Sequence, residues 1–262
     1  MSTAKKLIVA LSGGVDSSVA AYLLKKQNPS IPLQGIFMNN WSTSDEDDDN
    51  DDINNKKNNK YCLASERDYQ DAEDVCKKLS IPLQKVNFTA EYWTQVFEPF
   101  LEGLEHGFTP NPDIRCNAKI KFGVLKDYAM GKLNARGIAT GHYARLWDSS
   151  DVALPDYLES VISEDDLLSP SLLDYITKPK SSILLLAAKD LTKDQTYFLC
   201  QTPGTSFQNV YFPIGDYIKQ NQKDKYNNDT DATTIRSIAM NELGLTQISN
   251  KRESYGICFI GE

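Results

Sequence analysis

Apolar positions along the first two-thirds of the chain fall into short blocks that alternate between two kinds of spacing. Leu7 to Leu11 is an unbroken apolar run of strand length, followed by Ser12-Gly13-Gly14 and then an apolar pattern of helical period to Leu24. After the break Asn28-Pro29-Ser30, Leu33 to Trp41 reads as a second strand, residues 64–79 as a helix capped by Ser65, and Ile81 to Phe88 as a third strand. Residues 90–104 are aromatic-rich and helical until Pro99 disturbs them, and Tyr92, Trp93, Phe97 and Phe100 read as packing rather than as a base-stacking platform. Arg136 to Tyr143 and Ile183 to Ala188 supply two more strands, with a helix from Thr196 to Cys200. Strands alternating with helices predict an α/β fold built on a doubly wound parallel sheet. From Pro203 the texture changes to short helices, which predicts a small helical domain over 203–250.

Two stretches interrupt this pattern. Residues 42–60 and 148–180 are expected to be inserts: 45–52 and 148–166 carry seven acidic side chains each and no Lys or Arg. The formal charge of −8 argues at first against a polyanionic partner, but without those two segments the remainder is +6, which leaves nucleic acid open. No apolar run reaches membrane-spanning length, and the first strand begins too early to leave room for a signal or transit peptide. Five scattered cysteines, with no CxxC or Cys/His zinc spacing, predict a reducing compartment and no structural metal. Cys76, within the second helix, reads as a buried structural thiol.

Chemistry concentrates in a few places. A strand that turns through glycines into a helix is an anion site, because the backbone can approach a phosphate while the first-turn N–H groups point at it. Ser12, Ser17 and Ser18 add donors there, but the lysine of a Walker loop is absent. Met38 falls at the end of the second strand, where doubly wound sheets place ligand contacts. In Thr109 to Gly123, two prolines fix a rigid turn, Asp113 follows, and Cys116 stands before an apolar-periodic helix. It is either a nucleophile whose thiolate is favoured by the macrodipole, Arg115 and Lys119, or a helix-start cysteine of no consequence. Gly141 admits close approach of a ligand, and His142 suits a hydrogen-bonded structural role. Lys193 and Gln195 fit phosphate or sugar contacts or a capped loop, and Gly256 permits a turn that projects Cys258.

Taken in order, ALSGGVDSSVAA, GIFMNNW, TPNPDIRCNAKIKFG, ATGHYAR, KDQTYFL, FPIG and GICFIGE resemble the tRNA-specific 2-thiouridylases of the MnmA and Mtu1 type, and SGGVDSS resembles the PP-loop of ATP pyrophosphatases. The resemblance implies the adenine nucleotide α-hydrolase-like sheet, with a PP-loop catalytic domain over 1–202, the helical unit over 203–250 and a segment 251–262 carrying a second cysteine. It also implies that Ala10, Leu11, Ser12, Gly13, Gly14, Val15, Asp16 and Ser17, with Met38 and Gly141, hold ATP as cosubstrate, with Mg²⁺ expected. Asn111, Pro112 and Asp113 would meet the wobble uridine, and Lys193, Asp194 and Gln195 the tRNA. Cys116 would be the nucleophile, Cys258 the persulfide carrier charged by a donor protein, and Asp113 the nearest group for proton transfer, the two cysteines ending as a disulfide. Such enzymes continue beyond GICFIGE into a β-barrel, so the chain is expected to be a truncated piece of such an enzyme or an unusual short form. Its inserts suggest a eukaryotic, mitochondrial matrix enzyme, and a cytoplasmic one otherwise. A fragment that binds ATP or tRNA without turnover, or another PP-loop enzyme, is the alternative.

Overall fold

The computed structural model describes residues 5–41, 60–148, 183–219 and 233–245. Five strands, β1 (Leu7–Leu11), β2 (Leu33–Asn39), β3 (Leu83–Asn87), β4 (Gly137–Ala139) and β7 (Val210–Tyr211), form one parallel sheet in the order β3-β2-β1-β4-β7. Alternation along β1 divides the core. Leu7, Val9 and Leu11 face α1 (Val15–Gln27), α2 (Lys60–Leu79) and α6 (Ile235–Asn241), while Ile8 faces the helical layer formed by residues 89–132. Helices thus cover both faces, as a fully buried parallel sheet requires.

Close approach of α2 to the sheet depends on Gly35. A Cβ there would lie 2.9 Å from Cys76 Sγ and 2.9 Å from Leu11 Cδ1. Cys76 is therefore a packing thiol, and burial, with Glu73 second, pushes it up to about 11. The helix starts at Lys60, ahead of the expected Ser65 cap, so Ser65 lies within it.

Pro99 does not end its helix. The chain runs from α3 (Thr89–Tyr92) through a π-helical stretch, Trp93–Phe97, into α4 (Glu98–Glu105), which places Pro99 in a new first turn where no amide donor is needed. The carbonyl four residues before it, Gln95 O, accepts from Arg115 Nε at 2.6 Å. Tyr92 is fully buried, Trp93 is half exposed, and Trp41 stacks on Trp93 at 5.9 Å and meets Phe97 edge-on at 4.9 Å. This region packs as an aromatic cluster.

Two expectations about strands change. Ile183–Leu186 is not part of the parallel sheet; as β6 it pairs antiparallel with a strand the sequence pattern did not reveal, β5 (Arg145–Asp148). The expected insert 148–180 lies between these two strands, and, apart from Asp148, it lies outside the described residues, as do residues 42–59 of the first insert. On the far side of the expected boundary at 203, β7 joins the main sheet, and Ile235, Ile238, Ala239, Leu243 and Leu245 share a core with Leu7 and Val19. Lys26 and Tyr22 of α1 also meet Glu242. Among the described residues no break in packing falls at 203. None of the described helices is long and apolar enough to cross a membrane.

Candidate active site

The sheet order reverses between β1 and β4: β2 and β3 extend one way and β7 the other. The crevice beyond the carboxyl ends of β1 and β4 is where such a sheet binds ligands, because the connections part there. Ser12-Gly13-Gly14 leaves β1 at that point and Thr140-Gly141-His142 leaves β4. Gly13 has φ +74°, and a Cβ on it would sit 2.2 Å from the Asp68 carbonyl oxygen, so both backbone conformation and space demand glycine. Gly141 lies against the start of α1: a Cβ would be 2.6 Å from Ser17 N and 2.8 Å from Asp16 C. Its close approach is therefore to the loop itself, which it locks against β4.

Within the loop, the serines turn inward. Ser17 Oγ accepts from Ser12 N at 3.2 Å, Ser18 Oγ donates to Gly14 O at 2.7 Å, and Gly14 occupies the N-cap position with no side-chain cap. No side chain caps the first turn of α1, so its amides keep the capacity to bind phosphate. Met38, half-buried, stands at the same end of the neighbouring strand β2. The expected nucleotide residues Ala10 to Ser17, Met38 and Gly141 thus gather at the carboxyl ends of the three neighbouring strands β2, β1 and β4.

Asp16 is held from two directions. Tyr143 Oη donates to Asp16 Oδ1 at 2.8 Å, and Lys219 Nζ lies 2.9 Å from Asp16 Oδ2. Neither partner stands out in the sequence: Tyr143 lies two residues beyond the glycine that drew attention, and Lys219 sits in a polar stretch far along the chain. Tyr143 is itself clamped, its N–H donating to Gln195 Oε1 at 2.9 Å and its carbonyl accepting from Gln195 N at 2.9 Å. Asp194 accepts from Ala188 N at 2.6 Å and from Thr196 N and its hydroxyl. Gln195 and Asp194 therefore serve here as loop braces, and Thr196–Leu199 is a 3₁₀ turn rather than an α-helix.

The cysteine helix begins earlier than its apolar period suggests. Asn111 caps it, Oδ1 accepting from Asp113 N at 2.9 Å and more weakly from Ile114 N at 3.4 Å, and α5 (Pro112–Cys116) continues as a π-helical stretch, Asn117–Leu125. Cys116 is thus five residues into the helix, past the turn where the macrodipole acts most strongly. Its side chain is 1% exposed, in the cluster with Ile8, Val96, Ile120 and Leu199, and Arg115 is turned to Gln95 O. Asp113 and Cys116 stand three residues apart on one helical face. Asn117 Nδ2 donates to Phe198 O at 3.0 Å and Phe198 N to Gln195 O at 3.0 Å. Hydrogen bonds therefore run from the residue after Cys116 through Gln195 and Tyr143 to Asp16. Cys258 lies outside the described residues.

His142 is structural. It is buried among Phe122 and Phe212, Nδ1 is 2.7 Å from Thr140 Oγ1, and burial, aided by Lys121, holds it well below the usual imidazole range. Among the described residues no group of three or more His, Cys, Asp or Glu is placed to hold a metal ion.

Comparison with known proteins accords with this geometry. Residues 5–262 match a family model described as the tRNA methyl transferase HUP domain. The chain is 41% identical over 257 residues to the tRNA-specific 2-thiouridylase MnmA of Buchnera aphidicola subsp. Schizaphis graminum, covering 98% of this chain and 54% of that protein. It is 37% identical over 263 residues to the mouse mitochondrial tRNA-specific 2-thiouridylase 1, covering 100% of this chain and 54% of that one. The Drosophila melanogaster protein of the same name is 35% identical, covering 98% and 53%. The chain spans about half the length of the curated relatives it matches. With its parallel sheet and glycine loop at the switch point, the chain belongs to the tRNA methyl transferase HUP-domain family, the family of the tRNA-specific 2-thiouridylases.

Proposed function

We propose that this chain is the ATP-using, sulfur-transferring part of a tRNA 2-thiouridylase. The observation that carries the reading is the hydrogen-bonded path from the helix of Cys116 to Asp16 of the glycine loop, which joins a candidate nucleophile to a candidate nucleotide site. The C2 carbonyl of uridine is urea-like and unreactive, so it is activated first. Its oxygen attacks the α-phosphate of ATP in the crevice at Gly13, Gly14 and Ser17, and pyrophosphate leaves. The first-turn amides of α1 meet the phosphate charge. Asp16 supplies a carboxylate suited to Mg²⁺ carried by the nucleotide, an ion that uses one or two carboxylates beside phosphate oxygens and would offset the charge of the leaving group.

Sulfur from a persulfide on Cys258, charged by a donor protein, then displaces AMP, either directly or as hydrosulfide released when the Cys116 thiolate attacks the persulfide. In the direct route the Cys116 thiolate then attacks the Cys258 sulfur and breaks its bond to the sulfur now on C2, so by either route the 2-thiouridine is released and Cys116 and Cys258 end as a disulfide. Asn111, Pro112 and Asp113 form the helix start beside Cys116 and are assigned to the target uridine, with Asp113 as proton acceptor. The wobble base must leave its stack to reach them. Lys193, with the braced Asp194 and Gln195, is assigned to the tRNA backbone. The names of the mouse and Drosophila relatives favour a mitochondrial setting if the source is eukaryotic.

The test is reconstitution with tRNA, ATP-Mg²⁺ and a persulfide donor, with nucleosides read by mass spectrometry. 2-Thiouridine is expected from the unaltered chain and is lost in Cys116→Ala and Cys258→Ala. Full product from either variant overturns the two-cysteine route. A methylated nucleoside, formed with a methyl donor and without ATP, would instead bear out the methyl transfer in the family's description.

A further inference from the structure

We propose that Lys219 is the phosphate-binding cation of the nucleotide site, taking the role for which the glycine loop itself holds no lysine. The inference rests on the nucleotide reading above and deepens it. Residues 12–18 carry a carboxylate and no basic side chain. A helix N-terminus offers about half a positive charge, too little for a triphosphate with a carboxylate beside it. Lys219 supplies what is missing: its side chain is 10% exposed and its ammonium sits 2.9 Å from Asp16 Oδ2 at the first turn of α1.

Its placement is built rather than incidental. Lys219 N donates to Asp190 Oδ2 at 3.0 Å, while Asp190 Oδ1 accepts from Thr192 N and Oγ1. The adjacent Ile218 bridges Thr234, Lys219 O accepts from Arg236 N at 3.1 Å, and the ammonium lies 5.7 Å from the Tyr143 ring centre. A long side chain whose backbone is pinned by buried Asp190 and whose ammonium is held beside Asp16 and a ring loses little further freedom on meeting a ligand. Asp16 keeps Tyr143 as a donor when Lys219 turns away, and Mg²⁺ arriving with the nucleotide competes for the same carboxylate. Binding of the nucleotide would therefore exchange partners, with Asp16 the carboxylate that would hold the ion and the ammonium freed for the β- and γ-phosphates. When the uridine oxygen bonds to the α-phosphorus and the α–β P–O bond breaks, the bonding pair leaves on a β-phosphate oxygen. Lys219 stabilises that charge as a cation and transfers no proton.

Calorimetric titration of the 262-residue chain with ATP, inorganic pyrophosphate and AMP in the presence of Mg²⁺ tests the assignment. Lys219→Met is expected to weaken ATP and pyrophosphate by about ten- to a hundred-fold, the range of a charged hydrogen bond, and to leave AMP within about two-fold. The double variant Asp16→Asn/Lys219→Met is expected not to recover. Equal losses for AMP and ATP, or recovery in the double variant, would show a merely structural ion pair and overturn the inference. Acylation of Lys219 in the unaltered chain, read by mass spectrometry, needs no variant to fold. Protection by ATP and pyrophosphate but not by AMP is expected, and equal labelling in all three overturns it. Absence of any ATP binding by the unaltered chain overturns the nucleotide reading and this one together; binding that Lys219→Met leaves intact overturns this one alone.

Discussion

Replacing Gly141 by alanine should displace the glycine loop through backbone contact alone, with every side chain of the site retained. The new Cβ would lie 2.6 Å from Ser17 N, 2.8 Å from Asp16 C and 2.9 Å from Ser17 Cα. All three are backbone atoms, which cannot rotate away as a side-chain tip can. Ordinary contact begins at 3.4 Å, so the start of α1 must move from β4 by about 0.8 Å, or the two must share the shift. Overpacking of this kind costs about 1–3 kcal/mol. In a domain of this size that lowers the melting temperature by about 2–4 °C per kcal/mol. The same displacement draws Asp16 from Tyr143 and turns the first-turn amides, so ATP affinity should fall more than stability alone explains. Gly131→Ala is the control: a Cβ there meets nothing within 4 Å, and it should be neutral or stabilise by up to about 1 kcal/mol. Thermal unfolding and ATP titration of the two variants decide the matter. A Gly141→Ala protein that melts and binds ATP like Gly131→Ala would refute the claim that β4 and the loop are locked by contact.

Other perturbations test the remaining assignments. Asn111→Ala should lose about 1 kcal/mol of stability with its cap while Asn111→Asp retains it, so chemical denaturation of the pair separates capping from any contact with the target base. Under brief alkylation, exposed Cys200 should label well ahead of buried Cys116 and Cys76, as peptide mapping would show; equal labelling of Cys116 would mean that the thiol is open without tRNA. His142 is held neutral by burial, so the unfolded chain binds its proton first. Stability from this group is full above about pH 6.5 and declines as pH falls below it, by at most about 1.4 kcal/mol per unit. Unfolding at pH 7.5 and 5.5, compared with His142→Gln, reads that slope, and an unchanged difference would place the imidazole in contact with water.

Local chemistry accounts for what was legible in the chain. The run Leu7–Leu11 and the two glycines after it dictate a strand, a turn and a helix start, because apolar period and backbone freedom are properties of neighbouring residues. The same holds for the β2 strand, the buried thiol of Cys76 and the structural imidazole of His142. Short-range reading fails where partners are distant. β5 is too brief to show a period by itself and exists by pairing with β6, which begins only at Ile183. Pro99 looks like a helix end, but a π-helical stretch before it and Arg115 on Gln95 O let the helix continue. The start of the Cys116 helix is set by Asn111 and Pro112, whose capping precedes the apolar period.

The sequence by itself determined the parallel α/β order of the first strands and the position of the glycine loop, since both follow from spacing along the chain. Tertiary structure decided that β4 rather than β2 closes the loop, because a glycine there lets two backbones meet. It also decided that Asn111 and Gln195 spend their amides on the fold, that Cys116 is covered, and that Lys219 answers Asp16 from 203 residues away. A charge pair of that separation depends on how β7, the Ile218 bridge and α6 return the chain to β1, and no local pattern of residues encodes that distance.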